Sequence, residues 1–78
     1  MHRNQVYWRC RRGVLELDVL FNPFFEQCYD TLSSDQQSLF IDLLAEEDPE
    51  LQQWLIYGKD IPDNFSALIS QVKAHASG

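Results

Sequence analysis

The chain has 78 residues, 45% of them apolar and 23% charged, with a formal net charge of −6. A chain of this length makes one domain (1–78) that hides only about 60% of the surface its unfolded form exposes, leaving little room for a deep cavity around a large cofactor. The composition excludes general disorder, the acidity speaks against nucleic-acid binding through a basic surface, and no apolar run reaches the roughly 18–20 residues that span a bilayer.

In chain order, the first expected element is a short helix over residues 5–11, with Val6 and Cys10 on one face by their i, i+4 spacing. Gly13 ends it, because glycine readily adopts the left-handed conformation that terminates helices. The second runs from Val14 to about Thr31. Its stripe of Leu17, Phe21, Phe24 and Cys28 is widened by Leu20 and Phe25. Pro23 lies inside that stripe, removes a backbone donor and crowds the preceding turn, so a kink or short break is expected near Asn22.

Ser33 and Gln36 form the S-x-x-Q pattern of a capping box, opening a third helix to about Ala45 with Leu39, Phe40, Leu43 and Leu44 inward. Asp48 as N-cap and Pro49 at the first helical position start a fourth, which carries Leu51, Trp54 and Leu55 and stops at Gly58. Asp63 or Asn64 caps a fifth bearing Phe65, Leu68, Ile69 and Val72. No stretch shows the sustained alternation of a strand. The fold class is therefore all-α, a compact bundle of about five short helices, with fraying ends at about 1–4 and 74–78.

The charge is unevenly placed. Residues 1–13 hold Arg3, Arg9, Arg11 and Arg12 and no acid, giving +4, while the rest holds all twelve acids against Lys59 and Lys73, giving −10. Such a basic end either meets an acidic patch on a partner or only aids solubility.

Little in the chain points to catalysis. Cys10 and Cys28 stand 18 apart with no CxxC pair, which speaks against a disulfide framework or a zinc site and suits two buried thiols in a reducing cytoplasm. The first residues, Met-His-Arg-Asn-Gln-Val-Tyr-Trp-Arg, lack the apolar stretch of a secretory signal. A thiol–imidazole pair would need His2 or His75, both expected in fraying ends where catalytic geometry is not held. No GxGxxG or GxxxxGK[ST] phosphate loop occurs. The acids Glu46, Glu47, Asp48 and Glu50 are contiguous across a helix junction, which suits a solvated surface and the helix dipole better than a cation loop. No metal site and no catalytic residue is expected.

The stretch Arg11-Arg12-Gly13-Val14-Leu15-Glu16-Leu17-Asp18 supports two readings. In one, Gly13 ends a helix and Arg12 pairs with Glu16 across the junction, a surface salt bridge worth roughly 0–1 kcal/mol. In the other, a bare glycine lets a partner approach closely. Arg12 and Glu16 then offer charge-assisted hydrogen bonds, and Trp8 serves as an aromatic anchor.

Arg12-Gly13-Val14-Leu15-Glu16 matches the RGxxE motif of the succinate dehydrogenase assembly factor (flavinylation factor) family, and the chain resembles its small bacterial members. The likeness continues through Trp8, Cys10, Leu17-Asp18, Pro23-Phe24-Phe25-Glu26, Tyr29-Asp30-Thr31-Leu32-Ser33, Asp48-Pro49-Glu50-Leu51 and Trp54-Leu55, so it covers about residues 5–58.

The resemblance implies a five-helix fold and a chaperone-like, non-enzymatic role. The expected partner is the flavoprotein subunit of succinate dehydrogenase, and also of fumarate reductase, while FAD becomes covalently attached to it. Carried over by residue, Arg12, Gly13 and Glu16 form the contact surface, and Trp8, Arg11 and Asp18 extend it by proximity. The chain itself is expected to hold no tightly bound cofactor, with direct contact to FAD left open, and to act as a cytoplasmic monomer without membrane insertion. The alternative implied by the family is an antitoxin or regulator of a small membrane-anchored toxin.

Overall fold

The computed structural model describes residues 2–77. Helix α1 spans Arg3–Cys10, α2 Leu15–Cys28, α3 Ser34–Leu44, α4 Asp48–Leu55 and α5 Asp63–Ser77, with a single 3-10 turn at Tyr29–Thr31 after α2. Among the described residues there is no strand, as the missing alternation foretold. The chain is all-α, and among the described residues no helix is long and apolar enough to cross a membrane.

Helix α2 is the spine, packing against α1, α4 and α5. Most of the buried side chains are those of the expected stripes; Tyr29 of the 3-10 turn joins them, while Leu20, Cys28 and Leu39 are only half-buried. Val6 and Cys10 come from α1, and Leu17, Phe21, Phe24 and Phe25 from α2. Phe40, Leu43 and Leu44 come from α3, Leu51, Trp54 and Leu55 from α4, and Phe65, Leu68, Ile69 and Val72 from α5. Phe40 sits among three aromatic rings, with centroids 6.1 Å from Phe21, 5.6 Å from Phe24 and 5.8 Å from Tyr29. Such tilted and edge-on rings fill the centre of a core too small to rely on aliphatic volume alone.

The local signals act as capping physics requires, with several departures; Asp63 and Asn64, one of them expected to cap α5, are its first two helical residues. The Ser33–Gln36 box forms reciprocally: the Gln36 amide donates to Ser33 Oγ at 3.2 Å and the Ser33 amide to Gln36 Oε1 at 3.1 Å. Helix α2 runs unbroken through Pro23, so the expected break near Asn22 is absent. The carbonyl that Pro23 deprives of a donor belongs to Val19, a residue on the exposed side of α2 where water can replace the lost bond. Asp48 is the first residue inside α4 and Glu47 takes the N-cap position without a side-chain bond. The carboxylate expected to cap α4 is engaged elsewhere.

Helix α4 ends at Leu55, before Gly58, whose φ of 65° then turns the chain. Helix α5 extends to Ser77 where a fraying tail from Ala74 was expected. Phe24 and Cys28 on α2 meet His75 of that last turn, the Phe24 and His75 rings lying 6.0 Å apart. Met1 and Gly78, within the expected fraying ends, lie outside the described residues.

Candidate functional site: the junction of four helix ends

The link between α1 and α2 is Arg11-Arg12-Gly13-Val14. Gly13 has φ 80°, a left-handed backbone that L side chains adopt only at a cost, and a Cβ built there would have no atom within 4 Å. The glycine is therefore required by conformation and not by crowding within the chain.

Arg12 points inward. Its Nε donates to Asp48 Oδ1 at 2.8 Å, its Nη1 to the carbonyls of Leu44 at 2.6 Å and Arg9 at 3.2 Å, and its Nη2 to the Glu46 carbonyl at 2.7 Å. The side chain is 16% exposed and that of its partner Asp48 35%. The expected pairing of Arg12 with Glu16 does not form; Asp48 takes the guanidinium instead. The reason is geometric. The last carbonyls of α3 lack helical donors, and a planar guanidinium reaches several acceptors at once where Glu16 offers only one exposed carboxylate.

Asp18 also faces the chain itself. Its Oδ1 accepts the Arg12 backbone N–H at 2.8 Å, so the first turn of α2 grips the link that precedes it. The remaining residues of the group face out. Trp8 is 60% exposed, and Arg11, Gly13 and Glu16 are exposed as well. Arg11 lies 5.9 Å from the Trp8 ring centre and donates from Nη1 to Tyr7 Oη at 3.1 Å. Two apolar side chains that sequence reasoning left out join this face of α2: Leu15, 72% exposed, and Val19, 53%. Their i, i+4 spacing, off the buried stripe, was the available signal.

Half of the basic end is committed within the molecule. Arg12 pairs with Asp48, and Arg3 with Asp30 at 3.0 Å while lying 4.6 Å from the Phe25 ring centre. Of the four N-terminal arginines, Arg9 and Arg11 are the two outside these ion pairs among the described residues.

The thiols differ. Burial pushes the Cys10 thiol up to about 12, with the Arg12 charge pulling it down and Asp18 pushing it up, so it stays protonated and unreactive. Cys28 is half-buried, contrary to the expectation of two buried thiols, with Sγ 3.6 Å from His75 Nδ1. That pair lies at the far end of α2 from Gly13, about 20 Å away by helical rise. Beside it a groove lined by Val19, Pro23, Gln27, Ala74, His75 and Ala76 offers no lysine or arginine for a pyrophosphate. No cluster of three or more potential metal ligands occurs among the described residues.

The family model described as "Flavinator of succinate dehydrogenase" matches residues 4–76. Among curated relatives, a protein named FAD assembly factor SdhE from Shewanella oneidensis is 45% identical over 78 residues, covering 99% of this chain and 95% of its own length. One of the same name from Vibrio cholerae is 40% identical over 72 residues, covering 91% and 84%, and one from a Serratia species 40% over 73 residues, covering 92% and 83%. The exposed Gly13 turn, the outward Glu16 and the clamped Arg12 thus lie within a match that takes in nearly the whole molecule, and the chain belongs to the family of flavinators of succinate dehydrogenase.

Proposed function

We propose that the chain binds the flavoprotein subunit of succinate dehydrogenase, and that of fumarate reductase, and promotes covalent attachment of FAD to it without itself catalysing the bond-forming step. The observation that carries this reading is the family match over residues 4–76, with the RGxxE stretch at an exposed helix junction. Trp8, Arg11, Gly13 and Glu16 form the contact face, with Leu15 and Val19 beside them. Arg12 and Asp18 act from behind it. The domain works as a monomer in the cytoplasm.

Covalent flavinylation requires FAD and its acceptor side chain in reactive alignment, and alignment alone supplies several kcal/mol toward a barrier. The flavoprotein holds both groups. A small domain that binds better to the aligned conformation raises its population without donating an acid or a base. The chemistry of this chain suits that division of labour: the Cys10 thiol is held protonated and so offers no ready nucleophile.

Co-expression of the flavoprotein subunit with Gly13→Arg tests the reading. Covalent flavin on the subunit is expected to be lost while the variant domain remains helical by circular dichroism. Normal flavinylation with that variant removes the Gly13 turn from the contact face.

A further inference from the structure

Four helix ends meet at Arg12. Its Nη1 reaches the Arg9 carbonyl in the last turn of α1 and the Leu44 carbonyl at the end of α3. Its Nη2 reaches Glu46 in the α3–α4 link, and its Nε reaches Asp48 at the start of α4. Asp18, in the first turn of α2, holds its backbone N–H. A guanidinium has five N–H bonds, and four of them are used here, each on an acceptor of this chain. The acceptors suit the charge. Helix C-terminal carbonyls carry partial negative charge and lack donors, and a carboxylate in the first turn of α4 is favoured by that helix's dipole. To contact a partner directly, Arg12 would have to abandon these carbonyls and leave them unpaired in a part-buried site.

We infer that Arg12 is a positioning residue: through Asp48 and the carbonyls of Leu44 and Glu46 it fixes the place of the Gly13–Glu16 turn, so that Asp48 belongs to the partner-binding machinery although it stands 36 residues from Arg12. The inference rests on the proposed flavoprotein surface and divides it into two parts. Gly13, Glu16, Trp8 and Arg11 meet the partner. Arg12, Asp18 and Asp48 determine where they stand. Lysine cannot replace Arg12, because a single ammonium does not reach acceptors from several helix ends in one plane. The effect on binding enters through the fraction of molecules whose turn is in the binding geometry: the apparent Kd is the intrinsic Kd divided by that fraction.

The experiment measures Kd and the association rate of the full chain for the FAD-loaded succinate dehydrogenase flavoprotein subunit, at a temperature below the unfolding transition of every variant. The variants are Arg12→Lys, Asp48→Ala, Asp48→Asn, the double Arg12→Lys/Asp48→Ala, and Glu16→Ala as a contact-face reference. Arg12→Lys and Asp48→Ala are each expected to raise Kd on the order of tenfold, chiefly by slower association, as the competent fraction falls. The double variant should be no weaker than the worse single one. Asp48→Asn should recover part of the loss, because its amide oxygen still accepts from Nε. A role in stability alone would leave the Kd of the folded protein unmoved. Wild-type affinity in Asp48→Ala overturns the inference, and so do losses that multiply in the double variant, since a directly contacting Arg12 would act independently of Asp48. Failure of the wild type to bind the flavoprotein overturns the functional reading, and this inference with it; loss in Glu16→Ala beside an unaffected Asp48→Ala overturns the inference alone.

Discussion

Arg12 Nε donates to Asp48 Oδ1 at 2.8 Å, joining the link before α2 to the first residue of α4 across 36 positions of sequence. The same side chain serves the carbonyls of Leu44 and Glu46, so its loss strands several acceptors at once. Arg12→Ala should therefore destabilise the domain by about 2–3 kcal/mol, and Asp48→Asn, which keeps an acceptor, by about 1 kcal/mol. Urea denaturation followed by circular dichroism measures both. Equal and negligible effects would mean that the guanidinium is solvated in solution.

Gly13 separates conformation from contact. With φ 80° and open space around its Cβ position, Gly13→Ala should cost about 1–2 kcal/mol from the backbone alone. Gly13→Asn should cost less, because asparagine tolerates the left-handed region. If both variants stay folded and Gly13→Asn nevertheless loses flavinylation in co-expression, the side chain itself blocks the partner. Retained flavinylation with Asn would assign the glycine to the turn only.

The core should be unforgiving at Phe40. It is fully buried among Phe21, Phe24 and Tyr29, and Phe40→Ala should cost about 3–5 kcal/mol. Against a stability of about 5 kcal/mol, the low end of the usual range, that leaves about 0–2 kcal/mol, so the denaturant midpoint should fall by more than half. A midpoint close to that of the wild type would show that the site collapses to fill the cavity.

The thiols predict a pH dependence. Cys10 titrates at about 12 when folded, above its value in the unfolded chain, so the folded state holds the proton more tightly. Its contribution is complete below the unfolded thiol pKa of about 8.5 and is lost as pH rises from there through about 12. Tyr29, raised by burial and by Asp30, adds loss in the same direction at higher pH. Wild-type stability should thus fall more steeply than that of Cys10→Ala between pH 9 and 10, measured by denaturant midpoints. Parallel slopes would place solvent at Cys10.

In the folded state at pH 8, a thiol reagent should modify Cys28 first. It is half-buried beside His75, whereas Cys10 is fully buried and should react only on unfolding. Mass spectrometry of the singly modified protein locates the label, and early labelling of Cys10 would contradict the packing of α1 on α2.

Much of the molecule was determined by local rules. Leu17, Phe21 and Phe24 recur at helical spacing and are buried, the Ser33–Gln36 box opens α3, and Gly13 and Gly58 both take the left-handed backbone. Each depends on neighbours within a turn or two, so the sequence by itself settles it. The exposed face of Trp8, Gly13 and Glu16 was likewise legible, as a motif at a helix junction. What Arg12 does was not. Glu16 is its nearest acid on the following helix and reads as its partner, but the choice among acceptors depends on which helix ends fold together. The Leu44 and Glu46 carbonyls have no sequence signature, and Asp48 reads from its neighbours as a cap for α4. Only the packing of α2 against α1 and α4 brings those ends to one point, where a planar side chain with five donors satisfies what the helices leave open.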